Sequence, residues 1–273
     1  MSNKKLLFLD LDGTLLDEEK KIPLENKKAI EEMVEKGHDI IISTGRHPVS
    51  AMPILEELNM FSRGGYAVFY NGAVIYDCKN KVKILDMTIP FDQVRKMFDY
   101  AKEAGIHIQT YTDEKIVCES DMPGLHFYSK RSKIGYEIVE DVTKSLTKEP
   151  NKLILVDLDS KENLLAFQKA HADYEKGKFN SVFSEDFYLE YCPLKATKGE
   201  AVLYLADYLG IPLSDTYAVG DGENDISMIE KAGTGIAMRN AKRPVCFASD
   251  YITENDNNHC GVAEVIRKMI LCR

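Results

Sequence analysis

The chain has 273 residues, 44% hydrophobic and 29% charged, a balance that builds a globular core and excludes disorder and fibrous repeats. With 35 basic against 44 acidic residues the formal net charge is −9, and no block of basic residues is present, which argues against nucleic acid and acidic membranes as partners. A small phosphorylated metabolite still fits, because a metal ion and a few local donors reverse the potential inside one cleft.

The apolar run Leu6-Leu7-Phe8-Leu9 is too short for a signal-peptide core or a membrane span, so a cytoplasmic location is expected. It reads as a strand buried on both faces that ends in the polar loop Asp10-Leu11-Asp12-Gly13-Thr14, as in a parallel sheet. Ala29, Ile30, Met33 and Val34 fall at helical spacing, and Gly37 stands where a C-terminal cap would. Asp39 to Ile42 is the next buried strand, opening into Ser43-Thr44-Gly45-Arg46, so the order strand, helix, strand marks a right-handed crossover. Ala67–Tyr70 and Ala73–Tyr76 read as strands around the turn signal Asn71-Gly72.

From about 86 to 187 the pattern changes. A helix (Phe91 to Glu103), an alternating stretch (Ile106 to Gln109), an apolar run (Lys152–Val156), a second helix (Glu162 to Ala172) and Phe179–Phe183 read as an α+β insert; Ser120 to Lys133 reads as loop. Then Val202, Leu203, Leu205, Ala206 and Leu209 form a helical stripe closed by Gly210, Thr216 to Val219 is a strand opening into Gly220-Asp221-Gly222-Glu223-Asn224-Asp225, and Gly235 to Met238 is another. The expected fold is α/β: a doubly wound parallel-sheet, Rossmann-like core from residues 1–85 and 188–273, with an inserted α+β cap domain over 86–187. Six scattered cysteines without a Cys-x-x-Cys pair read as buried or idle thiols.

Three polar clusters follow predicted parallel strands, where open α/β sheets place their sites. Asp10 and Asp12, two apart, converge if they leave the strand on one side, and like charges that close need a cation, magnesium being the natural one. Gly13 lets the chain pass close to a ligand and Thr14 offers a hydroxyl. Such a segment is equally a solvated strand-end turn. The second cluster offers Thr44 and the Gly45 N–H to phosphate oxygens, or merely caps a helix. In the third, acids can be capping a helix, but Asp221 follows the strand directly and is best placed to join Asp10 on a metal. Lys195 or Lys198 supplies a cation near the same crevice, or is a surface lysine.

In this order the clusters resemble the haloacid dehalogenase-like hydrolase superfamily. Leu6 to Thr14 matches its nucleophile motif, Ser43 to Arg46 its second motif, Lys198 in Thr197-Lys198-Gly199 its lysine, and Gly220 to Asp225 its acidic motif. Asn71-Gly72, Asn240-Ala241 and Asn258-His259-Cys260-Gly261-Val262 look like the Cof-type subfamily IIB, with His259-Cys260 where acidic or small residues are expected. The resemblance covers the core; across the insert only length and mixture agree.

The resemblance implies a Mg²⁺-dependent phosphatase that hydrolyses a small phosphorylated metabolite through an aspartyl-phosphate. Asp10 would be nucleophile and metal ligand, Asp12 the general acid/base and, through its backbone carbonyl, a metal ligand, and Asp221 the further metal ligand. Leu11, Thr44, Gly45, Lys198 and Asn224 would bind phosphate, with Thr14 and Asp225 supporting. His126, Tyr111, Phe127 and Tyr128 are candidates for the substrate-reading face of the cap, or ordinary cap aromatics. The rival readings are a phosphomutase or phosphotransferase with the same nucleophile, a phospho-acceptor switch, and a non-enzymatic metabolite-binding protein.

Overall fold

Leu6–Leu9 is a strand with all four residues buried, as its unbroken apolar run demands. It pairs in parallel with Asp39–Ser43 on one side and Thr216–Gly220 on the other, with Leu9 opposite Ile42 and Val219. The computed structural model describes residues 4–272, which form two compact units, one of residues 4–45, 53–85 and 197–272 and one of 46–52 and 86–196.

The first unit holds an eight-stranded sheet in the order Tyr251–Ile252, Thr234–Ala237, Thr216–Gly220, Leu6–Leu9, Asp39–Ser43, Tyr66–Phe69, Val74–Asp77 and Val82–Asp86. The first six run parallel and Val74–Asp77 antiparallel. Chain order runs outward in one direction through Asp39–Ser43 and in the other through Thr216–Gly220, so the topological switch lies between Leu6–Leu9 and Thr216–Gly220. The helix Lys198–Leu209 drives Val202 and Leu205 onto Leu6, Phe8, Ile41 and Val68 of the sheet, each such side chain contributing about 1.5–3 kcal/mol when fully buried.

The second unit is a six-stranded, mainly antiparallel sheet in the order Phe179–Glu185, Tyr188–Pro193, Leu153–Val156, His107–Tyr111, Ile116–Cys118 and Tyr136–Ile138. Helices Phe91–Ala104 and Lys161–Glu175 cover one face, with Val94, Met97, Phe98, Leu164 and Phe167 in one core with Ile108, Leu153, Leu155 and Leu189. This is the α+β mixture expected of the insert.

Two expectations need correction. Residues 188–196 go with the second unit, because Tyr188–Pro193 pairs on both edges within that sheet, and residues 46–52 go with it too, so the expected core bounds 1–85 and 188–273 give way at both places. Ser120 to Lys133 is not loop: Pro123–Ser132 is a helix, started by Pro123 in its first turn, with Gly124, Leu125 and Tyr128 buried. A short turn count and one small contact residue hide its period. Among the described residues no helix is long and apolar enough to cross a membrane.

Candidate active site

The three polar loops leave the C-terminal ends of neighbouring parallel strands, and the backbone brings two of them together at once: the Asp10 N–H donates to the Val219 carbonyl at 3.1 Å. Side-chain oxygens of Asp10, Asp221 and Asp225 lie within 4.8 Å of one another. Lys198, fully buried at the start of its helix, donates from Nζ to Asp10 Oδ1 at 2.5 Å and to Asp225 Oδ1 at 2.6 Å. The other Asp225 oxygen accepts the N–H groups of Asp221 and Gly222 at 3.0 and 2.9 Å, which pins the turn that presents Asp221. Thr14 donates its hydroxyl to Asp221 Oδ1 at 2.8 Å. Gly13 is required beneath them: its φ is +80°, and a Cβ there would stand 2.3 Å from Asp221 Oδ2.

Three carboxylates around one ammonium leave the cluster short of positive charge. Burial, with Asp225 and Asp12 adding repulsion against the pull of Lys198, pushes the Asp10 carboxyl up to about 7. Burial, then Asp10 and Asp225, pushes Asp221 up to about 8 despite Thr14 and Lys198. Lys198 is held above the ordinary lysine range because Asp10 and Asp225 outweigh its burial. Converging hard oxygen donors that resist ionisation together fit magnesium, which would restore the missing charge. Asp10 and Asp221 have oxygens available to such an ion, whereas Asp225 is spent on Lys198 and two N–H groups.

Asp12 is not one of the acids whose oxygens converge on Asp10, although its charge still reaches that group. Its carboxylate stands outside the three-acid cluster and accepts from Lys20 Nζ at 2.7 Å, with 40% of the side chain exposed. The pairing that the Asp-x-Asp spacing suggested is made instead by Asp221 and Asp225 from the neighbouring strand. Leu11 is buried, and its carbonyl accepts the Leu16 N–H at 2.9 Å. Thr44 is buried in the backbone ladder, its N–H on Val68 O at 2.8 Å and its carbonyl on the Asn71 N–H at 3.1 Å; Gly45 follows at the edge of the first unit. Asn224 donates to Asn71 Oδ1 at 3.2 Å, so Asn71 links the second and third loops.

Asn71, which the sequence marks as a turn and as part of the Cof-type resemblance but assigns no role, joins the site loops. It takes the left-handed conformation (φ 56°), which asparagine tolerates, and the next residue, Gly72 (φ +114°), lets the turn pack where a Cβ would meet the Thr197 carbonyl at 2.3 Å, beside Lys198. In the second unit, Tyr111 and Tyr128 are buried, His126 pairs with exposed Asp121 at 2.6 Å, and Phe127 meets Phe187 edge-on.

A family model described as haloacid dehalogenase-like hydrolase matches residues 7–266. The chain is 30% identical to a 5-amino-6-(5-phospho-D-ribitylamino)uracil phosphatase of Bacillus subtilis, YcsE, over 98% of this chain and 96% of that protein. It is 28% identical to the B. subtilis phosphatase YwpJ over 97% of this chain and all of that one. The fold matches the crystal structure of a haloacid dehalogenase-like hydrolase from Bacteroides thetaiotaomicron with a TM-score of 0.87 and 31% identity, covering 96% of this chain and 98% of that one. With these matches spanning both units and the acid–lysine cluster in place at the switch point, the chain belongs to the haloacid dehalogenase-like hydrolase family and is a phosphatase of its Cof-type branch.

Proposed function

We propose that the protein hydrolyses the phosphate monoester of a small metabolite (a sugar phosphate, a nucleotide or a phosphorylated cofactor) in a Mg²⁺-dependent reaction through an aspartyl-phosphate on Asp10. The observation that carries the reading is the cluster itself: a buried carboxylate, Asp10, held on Lys198 beside Asp221 at the C-terminal edge of adjacent parallel strands. The B. subtilis relative that acts on a phosphorylated ribitylamino-uracil supports the substrate class.

Magnesium on Asp10, Asp221 and the Asp12 backbone carbonyl would neutralise charge on the transferring oxygens. Lys198 fixes one Asp10 oxygen, so the other is aimed rather than free to rotate, and an oriented carboxylate gains the advantage of proximity. Asp10 forms an O–P bond as the bond from phosphorus to the leaving oxygen breaks, and Asp12 gives that oxygen its proton. Asp12 then takes a proton from water, whose oxygen attacks phosphorus and breaks the Asp10–phosphate bond, releasing inorganic phosphate and restoring Asp10. Lys198, Asn224, Thr44 and the N–H groups of Leu11 and Gly45 are the donors for the phosphate oxygens, Thr14 and Asp225 hold the acids, and the insert chooses the leaving group.

The test is phosphate release from a panel of phosphorylated metabolites with Mg²⁺, with chelator, and with Asp10→Asn. Release that needs both Asp10 and the cation is expected, and substantial release by Asp10→Asn would remove the nucleophile assignment. A phosphomutase or phosphotransferase would share the nucleophile but release little phosphate until a second hydroxyl compound is added.

A further inference from the structure

Lys20 sits on a turn built to carry it. Asp17 and Lys21 close the turn through two bonds, Asp17 N–H to Lys21 O at 3.0 Å and Lys21 N–H to Asp17 Oδ1 at 2.9 Å, while the Lys20 N–H donates to Asp17 O at 3.0 Å. Lys20 itself holds φ +63°. Three asparagines from far along the chain fasten the stretch from Asp12 into this turn. Asn240 Nδ2 donates to Gly13 O at 2.7 Å, Asn257 Nδ2 to Leu16 O at 2.9 Å, and Asn258 Oδ1 accepts the Glu18 N–H at 3.1 Å. The Lys20 ammonium then meets Asp12 Oδ1 at 2.7 Å.

An exposed ion pair contributes little to stability, so the use of this one must be sought in where it puts Asp12. A carboxylate at this position has two resting places. Turned inward it would add a fourth negative charge to Asp10, Asp221 and Asp225; turned outward and untethered it would sample several rotamers in water. A group that must meet one oxygen of a bound ester loses rate for every orientation it wastes.

We propose that Lys20 is a positioning residue for Asp12: carried on a fixed turn, its ammonium keeps the Asp12 carboxylate outside the three-acid cluster and in one orientation for the leaving-group oxygen. The proposal rests on the reading of Asp12 as proton donor, and the experiment separates the two.

The probe pair is p-nitrophenyl phosphate, whose leaving group departs without a proton, and the best alkyl phosphate of the panel, whose alkoxide needs one. First-turnover release of each leaving group is followed by rapid quench in wild type, Asp12→Asn, Lys20→Met and Lys20→Arg. Methionine is a long unbranched side chain at the same φ, so the turn is kept. Asp12→Asn is expected to slow the alkyl ester about a hundredfold and the nitrophenyl ester only a few-fold. Lys20→Met is expected to show the same selectivity at about tenfold, and Lys20→Arg to recover most of it. If Asp12→Asn slows both esters alike, the reading of Asp12 fails first. If Asp12→Asn is selective but Lys20→Met slows both esters alike, slows neither, or raises KM with kcat unchanged, then Lys20 does not position Asp12 and the proposal falls.

Discussion

Asn257 donates its side-chain amide to the buried Leu16 carbonyl at 2.9 Å, across 241 positions of sequence. Its own N–H is held by Asn240 Oδ1 at 3.1 Å, and Asn240 in turn holds the Gly13 carbonyl. The loop after Asp10 is thus anchored from far along the chain as well as by its own backbone bonds. Asn257→Ala is expected to destabilise the protein by about 1–3 kcal/mol, the cost of depriving a buried carbonyl of its donor. Urea unfolding measures that directly, and turnover is expected to fall about tenfold with it because the Asp12 segment loses its hold. A variant with wild-type stability and rate would show that the loop holds its own shape.

Among the described residues Lys198 is the one cation bonded to Asp10 and Asp225, and both acids are almost fully buried. Removing one member of such a buried set strands the others. In metal-free buffer Lys198→Met is expected to lose about 3–5 kcal/mol by chemical unfolding, and in Mg²⁺ it is expected to lose all measurable turnover. Saturating Mg²⁺ is expected to raise the melting temperature of wild type by mass action and that of Asp221→Asn much less. A Lys198→Met protein within about 1 kcal/mol of wild type would mean that the buried acids shed their charge at no cost.

The readable parts of this molecule are those whose signal is repeated along the chain. Leu6–Leu9 and Asp39–Ser43 announce themselves because a strand buried on both faces has no polar alternation to confuse it, and each ends abruptly in polar residues. Asp10 and Asp221 are readable because each stands just past a buried strand, whereas Lys198 is told from Lys195 only by the family resemblance. The bonds made by Asn71, Asn240 and Asn257 are not readable, although the first two stand in segments that resemble the Cof-type subfamily, because each reaches a partner far away in sequence and a lone asparagine has no period. The direction in which Asp12 turns is likewise invisible, because it depends on Lys20 eight residues on, in a turn of charged residues that reads as surface. Pro123–Ser132 escapes because Leu125 and Tyr128 make too short a stripe, while its close seat depends on Gly124, whose Cβ would meet Val156 at 3.0 Å.

Glu264 gathers the end of the first unit. Its carboxylate accepts from Tyr251 Oη at 2.8 Å, the Glu254 N–H at 3.1 Å, the Asn255 N–H at 3.0 Å and Asn255 Nδ2 at 2.8 Å. Burial alone would raise its pKa, but these donors outweigh it and hold the group down at about 2. Glu264→Gln keeps the shape and loses the charge, and is expected to cost about 1.5–3 kcal/mol at pH 7. The wild-type advantage is present above pH 4.5 and disappears as pH falls towards 2, where wild type and variant are expected to unfold at the same urea concentration.

His47 gives the second unit an acid limit of opposite chemistry. Its ring is fully buried against Tyr111, Nε2 faces the Thr112 carbonyl at 2.9 Å and Nδ1 faces the Val49 N–H at 3.0 Å. Nδ1 must accept and Nε2 must donate, which fixes the neutral tautomer. Burial first, then the nearby Lys152 and Lys148 charges, depress the group to about 4, although the Thr112 carbonyl and Asp113 favour the charged form. The unfolded chain therefore binds the extra proton first. Stability is complete above about pH 6.5 and falls by about 3 kcal/mol as pH drops to 4, where the folded ring protonates as well. Unfolding curves between pH 7 and 4 should show this slope in wild type and a flatter one in His47→Gln, whose amide can still donate to Thr112 but takes up no proton. Parallel slopes in the two proteins would place the acid sensitivity elsewhere.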